Sequence, residues 1–204
     1  MIAPLIAREL GLALRGGQAW LPFAFFLLVA SLSAFAGRPD AGALWVAALL
    51  ASLLPVDRLV EPDRASGVLD QLALRDLAEE TIALAKIIGH WLGFGPLLMA
   101  AALPAAAMLG LSGETLLRLE IGLLVGTPGL AALGVAVAAL TAGYRGAGAL
   151  AGLILLPLAV PVLIFGAGQL EGGTGALGLL AAASLILVAT APFAAGAAIR
   201  EGRQ

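Results

Sequence analysis

Apolar residues fall along this chain in six blocks near membrane-spanning length, at about residues 19–36, 41–56, 83–110, 121–143, 147–168 and 175–199. A hydrocarbon layer about 30 Å thick requires close to 20 helical residues, so each block predicts a transmembrane helix, the second being short. Tight polar connections such as "GRPD" at 37 and "EGGTG" at 171 separate most of them. The exception is the stretch from 57 to 86, which holds eleven of the 24 charged residues. Eleven charges at about 3 kcal/mol each cannot lie in lipid, so this stretch must be a loop in water.

Within that loop the pattern changes from uniform apolarity to helical periodicity. Val68, Leu69 and Leu72 recur at helical spacing behind a candidate Ser66 cap, which predicts a short amphipathic helix over 66–74. Asp76 and Glu79 have the spacing of a capping box, and Glu80 joins them near a positive helix end, so a second helix is expected to start there and run into the third span. A surface helix held between two spans is suited to fit a groove on a partner and pass that partner's motion into the bundle. The alternative is a solvated connector without a partner. Ahead of the first span, "APLIARELGLALRGGQ" predicts an interfacial helix over 1–18, with Pro4 at its first position, Arg8 and Arg15 a heptad apart, and Gly16 and Gly17 ending it.

Composition supports a polytopic membrane protein. The 204 residues are 61% hydrophobic with 27 glycines, and the mean hydropathy is +1.06. Charge then sets the orientation. Arg8, Arg15, Arg58, Arg64, Arg75, Lys86, Arg145, Arg200 and Arg203 lie on the side of the termini, against Arg38 and Arg118 opposite, which predicts cytoplasmic termini and a cytoplasmic loop. "AFA" at 34–36 imitates a signal-peptidase site, but the many later spans favour a retained first helix.

With no cysteine, the chain lacks disulfides, thiolate metal sites and a cysteine nucleophile. It also has no H-E-x-x-H, G-x-S-x-G or G-x-x-x-x-G-K-[ST] motif, which argues against an intramembrane enzyme and against ATP binding by a phosphate loop.

Inside the spans, His90 stands one turn beyond Lys86, and both are expected to point into the bundle. The imidazole is a candidate haem contact, although an interhelical hydrogen bond or a headgroup-level position beside Trp91 is favoured; Met99 and Met108 read as apolar filler. Pro96, Pro104, Pro128, Pro157, Pro161 and Pro192 all fall within apolar blocks. Pro157 and Pro161 predict a broken or re-entrant end of the fifth span that lines a cavity or acts as a gating hinge, with simple kinking as the alternative. Three G-x-x-x-G pairs, Gly89/Gly93, Gly122/Gly126 and Gly148/Gly152, predict close helix approach.

The loop sequence E-x-D-x-x-x-G-x-L followed by D-Q-L, formed here by Glu61, Asp63, Gly67, Leu69, Asp70, Gln71 and Leu72, resembles the cytoplasmic loop of ABC-2-type permeases. Within that group the chain resembles the CcmB family of bacterial cytochrome c maturation. The likeness continues through "ALRGGQ" at 13, "LAKIIGHWLGFGPLL" at 84, "GLLVGTPGLAALG" at 122 and "LPLAVPVLIFG" at 156. One departure stands out: where the family pattern has Leu-Glu-Gln-Leu and then Ser-Pro, this chain has Asp70 and then Arg75-Asp76, keeping the acid but changing the turn.

The resemblance implies an all-α membrane protein, a single permease domain over 1–204 with six transmembrane helices, an N-terminal interfacial helix and a cytoplasmic coupling loop over 57–82. It implies the seven loop residues as the contact with a separate CcmA-like ATPase, which would bind the ATP. It further implies CcmC-like and CcmD-like haem-handling membrane partners, a homodimer of permease subunits, haem as the transported ligand, no cofactor held by the chain, and a place in the bacterial inner membrane. Membrane lipid is a partner and nucleic acid is not. The alternatives are an ABC-2 exporter of a drug, lipid or glycan, and a passive scaffold for haem-handling proteins.

Overall fold

The computed structural model describes residues 2–15, 20–37, 40–144, 146–173 and 175–202. Among these the structure is helical: α1 (Ile2–Arg15), α2 (Leu21–Phe35), α3 (Ala43–Leu53), α4 (Glu61–Ala65), α5 (Val68–Ala73), α6 (Glu79–Leu109), α7 (Gly113–Thr141), α8 (Ala147–Leu170) and α9 (Ala176–Glu201). Five stretches are long and apolar enough to cross a membrane: α6, α7, α8, α9 and the run Ala43–Ala65, in which α3, a 3-10 turn and α4 follow one another. The first apolar block forms only the 15 residues of α2, about 22 Å at 1.5 Å per residue.

Helix α7 is the centre of the bundle, packed against α3, α6, α8 and α9, while α2 lies on α3 and α6. It starts eight residues before the apolar block, because Ser112 caps it by accepting from the Thr115 N–H at 3.1 Å. Two of the glycine pairs act as seats for neighbours. Gly122 and Gly126 of α7, with Gly166 of α8, lie against the fully buried indole of Trp45, and a Cβ on Gly126 would come within 2.7 Å of the ring. Gly89 and Gly93 of α6 seat α1, facing Glu9 and Ala13. The third pair is only half used: Gly148 seats Asp57 of the 3-10 turn, whose carboxylate would lie 2.8 Å from a Cβ there, and Gly152 faces open space.

The prolines are absorbed without breaks. Helix α8 runs unbroken through Pro157 and Pro161, and both lie on its exposed face, so the broken or re-entrant end is replaced by one continuous helix. A helix can continue through a proline with a local kink at that point. Around Pro128 a neighbour contributes, as Ser184 of α9 accepts from the Gly129 N–H at 3.0 Å.

The loop caps differ from the sequence pattern. Ser66 bonds back to the Pro62 carbonyl at 2.7 Å and ends α4, and the cap of α5 is Gly67 at φ +72°, a left-handed conformation that glycine adopts without strain. Asp76 also has a positive φ, +55°, within the turn before α6, so it does not form the capping box. Ala78 occupies the N-cap of α6, with Glu79 and Glu80 in the first turn.

Candidate functional site

Charge gathers at one end of the bundle. Helix α6 has 31 residues, about 46 Å, so roughly ten exceed a 30 Å hydrocarbon layer. Its charged residues, Glu79, Glu80 and Lys86, occupy the first quarter, and from Ile87 to Leu109 it carries none. Lys86 therefore stands where the apolar part of the helix begins.

Three separate elements meet at this level through Asp63, which is only 6% exposed. Its carboxylate accepts from the Arg8 guanidinium of α1 at 2.5 and 3.0 Å and from Lys86 Nζ of α6 at 2.5 Å. Glu9 closes the circuit, at 2.6 Å from Arg8 and 3.2 Å from Lys86. Lys86 is 2% exposed, so two acids surround a cation almost out of reach of water. The two positive and two negative groups balance, which is what makes such burial tolerable. The hydrogen bond to Asp63 also raises the Arg8 pKa above its ordinary value.

The same end is tied at other points. Arg200 of α9 reaches Glu79 and Glu80 at 3.2 and 2.9 Å. Glu61 accepts from the Gly143 N–H after α7 at 2.7 Å. At the opposite end, the buried Gln169 donates to the Arg118 carbonyl at 2.8 Å. Arg145, Arg203 and Arg38 lie outside the described residues.

The loop residues named from sequence thus divide into two groups. Asp63 and Leu69 are buried, Glu61 is engaged with Gly143, and Leu72 is half-buried against the core. Only Asp70 and Gln71 are exposed, next to Leu74 at 85% exposure and Arg75. The first group holds the loop to the bundle, and the second presents a small face to the outside.

One turn below Lys86, His90 is 5% exposed and packed on Phe94 with ring centroids 4.8 Å apart. Its Nε2 has no hydrogen-bond partner among the described residues and faces Gly134 of α7. Trp91 points to α7 as well, donating to Thr127 Oγ1 at 2.9 Å, so it is a bundle contact and not a headgroup anchor. Met108 is exposed and Met99 packs against the core. Among the described residues no group of three His, Cys, Asp or Glu is placed to hold a metal.

A cavity of about 290 Å³ opens beside the ion cluster, between α1, the start of α2, the 54–63 segment and α6. Sequence reasoning missed Arg8 as a partner of Asp63 and missed Glu9 entirely. The available signal was the charged pair within an otherwise apolar α1, but nothing in the chain order says which distant charges meet it.

A bundle of apolar helices with most of its ionic contacts gathered at one end and a charged loop strapped to it is a polytopic membrane protein. The CcmB protein family model matches residues 1–202, and the chain belongs to that family. It is 42% identical to heme exporter protein B of Rhodobacter capsulatus, over 96% of this chain and 97% of that one. The protein of the same name from Paracoccus denitrificans is also 42% identical, with the same coverage. That of Escherichia coli K12 is 38% identical over 88% of each chain.

Proposed function

We propose that this chain is the membrane permease subunit of a haem-export system serving c-type cytochrome biogenesis, driven from the cytoplasm by a separate ATPase. The observation that carries the haem assignment is the family membership over nearly the whole chain together with relatives named heme exporter protein B. Haem is the substrate of the assembly, and the chain contributes no nucleotide-binding motif of its own.

The mechanical part of the reading rests on Asp63. An ATPase pressing on the exposed face of α5 at Asp70 and Gln71 moves α4 and α5 together, since Gly67 joins them in a single tight turn. Asp63 then passes the displacement to α1 through Arg8 and to α6 through Lys86. In this reading α2 is a sixth, short pass, both termini face the cytoplasm of a bacterial inner membrane, α1 lies at the interface, and two copies pair within a complex that includes haem-handling membrane proteins. Pro157 and Pro161, on the outward face of α8, act as hinge positions when the bundle responds.

Deletion of the gene should abolish c-type cytochromes while other exports continue, and co-purification should recover a cytoplasmic ATPase. Asp70→Lys/Gln71→Glu should lose the ATPase yet leave the permease folded and membrane-inserted. Full c-type cytochrome levels in the deletion strain would refute the haem assignment, and an unchanged ATPase yield would refute the contact face.

A further inference from the structure

The cavity beside the ion cluster has a polar end and an apolar body. At the polar end, Glu9, Asp63 and Lys86 already satisfy one another with Arg8, so these four groups carry no net charge to offer a ligand. Arg58 is different: it is exposed, lines the cavity, and its guanidinium makes no ion pair or hydrogen bond with the described residues. One uncompensated positive charge therefore stands at the cavity's edge.

The remaining wall is apolar, formed chiefly by Leu12, Leu21, Leu54, Leu59 and Phe94. Phe94 lies eight residues beyond Lys86 on α6, so the cavity extends about 12 Å from the charged level toward the apolar interior. Leu12 and Leu54, at 54% and 49% exposure, continue that apolar wall onto the outer surface of the bundle. Gly93 and Ala13, which also line the cavity, pack closely across the α1–α6 contact, where a Cβ on Gly93 would come within 3.1 Å of Ala13, so the cavity lies beside this contact.

A pocket open toward lipid, charged once at the interface and apolar below, is complementary to an amphiphile with one anionic group. Its volume, near the lower end of about 300–1,000 Å³ for small-molecule sites, suits part of an acyl chain and not a whole lipid body. We propose that this cavity is a specific site for an anionic phospholipid of the surrounding bilayer. The phosphate sits on the Arg58 guanidinium, a fork suited to phosphate oxygens. One chain enters between α1 and the 54–59 segment and ends against Phe94. A lipid held there packs against α1 from the side of the 54–59 segment, and so biases how tightly the N-terminal helix is held.

The test uses the full-length protein in nanodiscs containing phosphatidylglycerol or phosphatidylcholine with a photoreactive group on one acyl chain. Crosslinked peptides are mapped by mass spectrometry. The phosphatidylglycerol probe should label peptides containing Leu12 and Leu54–Leu59, and the phosphatidylcholine probe should label them roughly tenfold less. Arg58→Gln should remove that preference with unchanged melting, since Arg58 holds nothing else in place. Leu54→Trp, which fills the mouth, should reduce labelling by both probes. Equal labelling by the two lipids, or labelling unaffected by Arg58→Gln, would overturn the proposal. So would stoichiometric displacement of the lipid by haem, which would assign the cavity to cargo.

Discussion

Removing the Asp63 carboxylate is the sharpest perturbation of the ion cluster. In Asp63→Ala, Lys86 keeps only Glu9, at 3.2 Å, and loses its 2.5 Å partner while remaining 2% exposed. Breaking a buried pair from one side costs about 3–5 kcal/mol, and the surviving Glu9 contact places this case near the lower bound, about 3 kcal/mol. At about 2–4 °C per kcal/mol for a chain of this size, melting should fall by roughly 6–12 °C. Lys86→Met leaves Asp63 with its two Arg8 contacts and should cost less, about 2 kcal/mol. The double variant Asp63→Ala/Lys86→Met strands no charge, because Arg8 and Glu9 still pair at 2.6 Å. It should therefore melt within about 1 kcal/mol of the parent, a coupling of several kcal/mol between the two sites. Thermal unfolding of the detergent-solubilised protein, followed by far-ultraviolet circular dichroism, measures all three. Additive losses in the double variant, or an Asp63→Ala melting point within about 2 °C of the parent, would refute the cluster as the joint between loop and bundle.

Gly126→Ala should destabilise by about 1–3 kcal/mol through collision with Trp45, whereas Gly152→Ala, facing open space, should stabilise α8 by up to about 1 kcal/mol; the same melting assay separates them. Gly89→Ala pushes against Glu9 and should loosen α1, raising protease cleavage within Ile2–Arg15 while α6 to α9 stay protected. Because the chain contains no cysteine, single Asp70→Cys and Glu171→Cys variants give clean topology labels. An impermeant maleimide should reach position 171 from outside intact cells and position 70 only after the membrane is opened, and the reverse pattern would overturn the orientation.

Sequence alone settled the environment. An apolar fraction this large with so few charges requires lipid, and the blocks behind α6, α7, α8 and α9 follow from length and hydropathy because a helix in hydrocarbon must satisfy its own backbone. The charged stretch was legible as a loop for the same reason. What the pattern could not give were the helix ends and the partners. Ser112 extends α7 well past the apolar block, and Gly67 replaces Ser66 as the cap of α5, because a cap depends on local φ and ψ that hydropathy does not encode. The proline pair looked like a break, but α8 presents both residues outward and continues. Glycine spacing announced close contacts, and only packing showed that two pairs seat Trp45 and α1 and that of the third only Gly148 has a close neighbour, Asp57. Lys86 and Asp63 were each visible as charges 23 residues apart, but their meeting with Arg8 and Glu9 depends on how α1 folds back onto α6. Hydrophobicity is a property each residue carries along the chain, whereas charge pairing is a property of two positions in space, so the first could be read directly and the second had to wait for the fold.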